Sequence, residues 1–188
     1  MSVGAALRAE WIKIRSVRST LWALLPVLGA GVVIAHLAGN SLRDPGPGES
    51  AVDPLFPAFY GLTLGQLGVV VFAVLVVGAE YGTGTIRLSL LAMPRRGRFY
   101  AGKVLAATLT VAAVALVTVP VAFLTAQAAL GPRGVGVGAE GALEGMIGAF
   151  LYLTLMCAFT LGVATMLRST VRSLGLLLPV FFLGSQGL

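Results

Sequence analysis

Charge is what this chain has least of. Of 188 residues, 13 are Lys or Arg and 7 are Asp or Glu, 11% in all, where a soluble globular domain carries about 25%. A single cysteine, Cys157, excludes an internal disulfide, and with one histidine, His36, it excludes a Cys/His zinc site. No Gly-x4-Gly-Lys-Ser/Thr occurs, so the chain has no Walker A phosphate cradle. Gly136-Val-Gly138-Ala-Glu-Gly141 satisfies G-x-G-x-x-G, but no strand precedes it and the chain has 25 glycines; it is a chance match. What fills the space is apolar: hydrophobic residues make up 57% of the chain and mean hydropathy is +0.96. A sphere of this size cannot hide that much apolar surface from water, so the solvent is lipid.

The positions of the charges say more than their number. Stretches free of Asp, Glu, Lys and Arg run over 19–42, 54–79, 104–132, 145–167 and 173–188. A bilayer core of about 30 Å takes roughly 20 helical residues. The first four runs pass, and the fifth spans only about 24 Å at the helical rise per residue. The basic residues in the segments before the five runs number 4, 1, 5, 1 and 2, which puts 11 of 13 on one side. By the positive-inside rule that side is cytoplasmic, with the N-terminus inside. The pI near 10.3 therefore reports topology and not nucleic-acid binding. A signal peptide is a poor rival for the first run, because its basic region is 18 residues long and more spans follow.

In residues 1–18, Leu7, Trp11 and Ile14 recur at helical spacing, with Arg15 and Arg18 beside the membrane. Both an interfacial helix and a plain basic flank fit this pattern. Pro26 with Gly29 and Gly31 predicts a kink in the first span, and Pro120 a bend or tilt in the third. The outer segment 40–57, rich in Pro and Gly, is predicted to be irregular. Gly61-xxx-Gly65 and Gly141-xxx-Gly145 are weak close-packing signals. Gln66, Thr108, Thr118, Gln127 and Thr160 within the spans serve either as lining of a path or as links between helices. His36 reads as an interfacial or helix-bonded residue and Cys157 as a packing residue. The spans hold no acidic or basic side chain and the chain no internal repeat, which counts against an ion-coupled carrier and against intramembrane hydrolysis.

The segment 80–103 is too long for a tight turn. Thr83 or Thr85 can cap a short helix with Ile86, Leu90 and Met93 on one face, ended by Pro94 and followed by Arg95, Arg96, Arg98, Phe99 and Tyr100. Held between two spans, that apolar face is a docking knob for a soluble partner. The pattern Glu-x3-Gly-Thr-x8-Pro-x8-Lys, met by Glu80, Gly84, Thr85, Pro94 and Lys103, resembles the segment between the second and third spans of type-2 ATP-binding-cassette exporter permeases. Ala9-Glu-Trp-Ile-Lys-Ile-Arg-Ser-Val-Arg-Ser-Thr20 resembles the start of such permeases in high-GC bacteria, and eleven Arg to two Lys fit that genome type.

The resemblance, over residues 5–188, implies an elbow helix, six spans, and a coupling helix that docks on a separate nucleotide-binding subunit. The expectation is an all-α polytopic bundle with a cytoplasmic segment 1–18. It is followed by one transmembrane domain, 19–188, with spans near 19–39, 59–79, 104–130, 145–167 and 173–188 and a coupling loop at 80–103. Coupling is assigned to Glu80, Gly84, Thr85, Arg87 and Pro94. Membrane-interface and topology roles fall to Trp11, Arg15, Arg18, Arg95, Arg96, Arg98 and Lys103. The expected partners are a cognate ATPase, membrane lipid and a second permease copy, alike or different. No cofactor, metal, catalytic residue or nucleic-acid partner is expected. The implied activity is export of a small molecule, lipid or peptide across a bacterial cytoplasmic membrane, the ATP being hydrolysed by the partner. The alternative is a polytopic accessory, sensor or scaffold that moves no solute. Because the family pattern has a sixth span, the sequence is expected to be a fragment or a truncated product.

Overall fold

A computed structural model of the chain describes residues 24–43, 53–82 and 96–185, together with Trp22. Among them are six α-helices and no strand: α1 (Leu25–Ser41), α2 (Phe56–Tyr60), α3 (Leu62–Gly82), α4 (Arg96–Leu130), α5 (Ala142–Leu167) and α6 (Thr170–Ser185). A 3-10 turn, Gly131–Arg133, follows α4. The stretches Phe56–Ala79, Phe99–Arg133 and Ala142–Leu167 are long and apolar enough to cross a membrane. With α1 and α6, which are shorter, they form a polytopic helical bundle.

Local chemistry explains the ends. Pro26 lies in the first turn of α1, where a missing N–H leaves no carbonyl bereft. Pro57 does the same for α2, and Asp53 Oδ1 accepts the Leu55 N–H at 2.8 Å in the turn before it, so the end of the outer segment is ordered. Gly61 joins α2 to α3 in α-helical geometry, which makes the two nearly one helix. α5 stops where Arg168 turns to φ 51°, its N–H still bonded to the Ala164 carbonyl. α4 runs 35 residues, about 52 Å at the helical rise. It outruns a bilayer core of about 30 Å, so it must tilt or project beyond it. Pro120 sits inside this helix without ending it.

α3 is the centre of the bundle, packed against α1, α5 and α6. Its residues Val69, Val70, Phe72, Ala73, Val74 and Val77 are buried in one cluster with Ala107 and Val111 of α4, Leu153 and Leu161 of α5, and Leu177 of α6. A helix apolar on every side belongs inside. Close approach depends on missing side chains: a Cβ at Gly61 would strike the Gly31 carbonyl of α1, one at Gly39 would come within 2.6 Å of the Ala126 carbonyl of α4, and one at Gly78 would strike Thr170 of α6. Gly141 and Gly145 instead admit side chains. Leu55 approaches the first, and a Cβ at the second would lie 2.6 Å from the Phe59 ring.

The opposite faces are unlike those of a water-soluble protein. On α5, Leu143, Ile147, Leu151, Leu155 and Phe159 are all exposed, four residues apart. α4 adds Leu105, Leu109, Leu116 and Leu124. A continuous apolar stripe of this kind has no stable place in water and fits a hydrocarbon surround or a further helix.

Candidate functional site

The helix ends gather into two opposed surfaces. One holds the end of α1, the start of α2, the 131–141 turns and the start of α5. Gln127 ties it together, its Nε2 donating to the Pro54 carbonyl and its Oε1 accepting the Val135 N–H, both at 2.9 Å. Asp53, Glu140 and Glu144 lie on this acidic end with Arg43 and Arg133. Thus Gln127 links segments that lie far apart in the chain. Residues 136–141, the chance G-x-G-x-x-G, form turns here.

The other surface holds the end of α3, the start of α4 and the α5–α6 turn, with Arg168 and Arg172 exposed. Here the Tyr81 and Tyr100 hydroxyls are 3.2 Å apart, a hydrogen bond in which either can donate. It joins the end of α3 to the start of α4, across the two borders of the 80–103 segment. Beside it Phe99 is buried and stands edge-on to Tyr100, ring centroids 5.4 Å apart. Lys103 is only 3% exposed, and its Nζ lies 5.6 Å from the Phe99 ring centroid. That is within cation–π range. A membrane-flank lysine is expected to reach solvent; this one is packed into the clasp.

The sequence-assigned residues divide as follows. Glu80 falls in the last turn of α3, and Arg96 and Arg98 in the first turn of α4. Gly84, Thr85, Arg87, Pro94 and Arg95, like Trp11, Arg15 and Arg18, lie outside the described residues. α4 begins at Arg96, so the last eight residues of the 80–103 segment are helix. Tyr81 was not singled out, since nothing in its neighbourhood distinguishes it until α4 brings Tyr100 opposite.

Most polar groups within the spans satisfy themselves locally. Thr110, Thr118 and Thr154 each donate to the carbonyl four residues back, at 2.8, 2.8 and 2.7 Å. Thr108 Oγ1 and Thr160 Oγ1 are buried without a hydrogen bond; Thr108 stands beside the buried Cys157 thiol without meeting bonding geometry. His36 is exposed on α1. Gln66 is the exception: 1% exposed, it accepts a hydrogen bond from the Tyr152 hydroxyl of α5 and donates from Nε2 to the Phe181 carbonyl of α6 at 3.4 Å.

A polytopic helical membrane protein with opposed acidic and basic ends, and a clasped pair of helices at the basic one, is the class that these features define. The family model described as ABC-2 family transporter protein matches residues 18–185. The chain belongs to that family: it is the membrane permease component of an ATP-binding-cassette transporter, a transmembrane part and not the ATPase, and a subunit that works with an ABC ATPase. No curated protein matches the chain, and no solved structure does.

Proposed function

We propose that this permease drives export, moving a small molecule, lipid or peptide out of a bacterial cell across the cytoplasmic membrane, with the basic end facing the cytosol. Two permease copies, alike or different, embedded in lipid, form the membrane unit, and each presents its 80–103 segment to an ATPase. Glu80, Gly84, Thr85, Arg87 and Pro94 make or shape that contact. The interfacial roles of Trp11, Arg15, Arg18, Arg95, Arg96, Arg98 and Lys103 are to hold the depth and sidedness of the chain.

The observation that carries this reading is the Tyr81–Tyr100 bond. A loop between two independently moving helices would absorb a push. With its borders joined at the membrane surface, the loop moves α3 and α4 as one body. Because α3 packs on α1, α5 and α6, its tilt is carried to the whole bundle. ATP-driven closure of the ATPase pair then becomes rigid-body rearrangement of the spans. No charged group inside the membrane is needed for that.

The test is ATPase co-purification and export by cells carrying Gly84→Pro or Thr85→Arg. Both variants are expected to reach the membrane at wild-type levels, lose the ATPase and lose export. Retention of both properties in both variants overturns the coupling role of the segment.

A further inference from the structure

A groove of about 400 Å³ runs between the α2–α3 helix and α5, lined by Phe59, Leu62, Gln66, Gly148 and Tyr152 among others. Gln66 lies ten residues from the start of α2 and Tyr152 ten from the start of α5, each about 15 Å along its helix. The groove therefore descends from the acidic end to about the middle of a 30 Å core. It opens sideways, since Tyr152 is 48% exposed and Leu151 and Leu64 beside it are exposed as well.

Its deep end is polar and its walls are apolar but for Thr63, whose hydroxyl donates to the Tyr60 carbonyl at 2.7 Å. The Gln66 amide nitrogen carries two N–H groups, of which one is engaged, at a long 3.4 Å. The Phe181 carbonyl is an acceptor, which fixes the nitrogen on that side and leaves Oε1 to the phenol. The Tyr152 oxygen, having donated its proton, keeps its capacity to accept. Among the described residues, none that lines the groove is charged. Gly148 provides the room: a Cβ there meets nothing within 4 Å, whereas the neighbouring Gly145 is filled by Phe59. A second cavity, of about 260 Å³, between α4 and α5 is lined by apolar residues and Pro120, and offers no such anchor.

We propose that this groove is a binding site for an uncharged single-chain amphiphile drawn from the bilayer, its hydroxyl donating to the Tyr152 oxygen, a hydroxyl or carbonyl oxygen accepting from the second Gln66 N–H, and its chain lying over Gly148 toward Phe59. A charged head would lose its hydration with nothing to replace it. The volume is near the lower bound of small-molecule sites, about 300 Å³, which suits one chain better than two. The facing leaflet rests on the sidedness proposed above; occupancy does not.

The experiment photolabels the full-length chain, purified in mild detergent without any ATPase, with a diazirine-bearing monoacylglycerol and maps adducts by peptide mass spectrometry. Adducts are expected to concentrate in 59–66 and 145–152, and unlabelled monoolein should compete. Gly148→Leu, which adds a side chain to the groove from a position whose Cβ has open space, should abolish them. Gln66→Leu and Tyr152→Phe should weaken monoacylglycerol labelling about two- to tenfold, the worth of a neutral hydrogen bond. Both should leave labelling by a diazirine alkane unchanged. If Gly148→Leu does not fold, these two variants decide alone. Adducts spread evenly over the lipid-facing helices overturn the site, as does labelling indifferent to the variants. Equal competition by phosphatidic acid overturns the uncharged class, and chain-to-chain cross-links in the groove assign it to a second copy instead. A chain that binds the probe yet neither exports nor retains an ATPase leaves the site standing and removes the proposed function alone.

Discussion

Tyr81 and Tyr100 act as a pair, and that makes their role measurable. Each loses one hydroxyl as phenylalanine, and a net hydrogen bond is worth about 0.5–1.5 kcal/mol. Tyr81→Phe, Tyr100→Phe and the double variant should retain ATPase binding, because Glu80, Gly84, Thr85, Arg87 and Pro94 are unaltered, while export per ATP hydrolysed falls. If the bond is the shared cause, the double variant falls no further than either single one. Transport-coupled ATPase measurements on the reconstituted complex decide this, and additive losses would show that the two residues act separately. Little of the clasp was legible in the sequence. Phe99 and Tyr100 stood out as interfacial aromatics, but the partner of Tyr100 lies nineteen residues back in the chain, a pairing set only when α4 folds beside α3. The burial of Lys103 was not legible for a related reason: its position marks a membrane flank, and its packing over Phe99, one helical turn away, follows only once α4 extends back past it.

At the scale of elements, charge located the membrane better than it located helix ends. The run beginning at Val104 lies inside α4, which starts at Arg96, because a helix projecting beyond the hydrocarbon meets water and tolerates Arg and Lys there. Pro26 was legible as a breaker but not as a first-turn residue, a distinction that depends on where α1 begins. The acidic-end ties were not visible either. Gln127 stood out as a polar residue in a span, yet its use follows from Pro54 and Val135 arriving beside it. Gln127→Leu should leave both backbone groups without partners, each at a cost of about 1–3 kcal/mol. The expected outcomes are a lower thermal midpoint in detergent and faster proteolysis within 131–141. Unchanged cleavage there would mean that the turns hold without the glutamine.

For the molecule as a whole, the separation of charge into two ends is the property on which the rest depends. Composition and spacing carried the all-helical class, since charge-free runs such as 54–79 and 104–132 are far longer than the short alternating strands of a barrel and close their backbone bonds in lipid as helices. The helix ends then sort into an acidic and a basic surface, and an ABC-2 permease needs its ATPase on one of them. Position 89 lies near the middle of the 80–103 segment, and the single native cysteine is buried in the core, so Ser89→Cys introduces one reactive thiol. Exposed Val137 on the acidic end, changed to Cys, is its counterpart. A membrane-impermeant maleimide applied to intact cells is predicted to label position 137 and spare position 89 until the membrane is permeabilised. Labelling of position 89 from outside intact cells would contradict the account at its root.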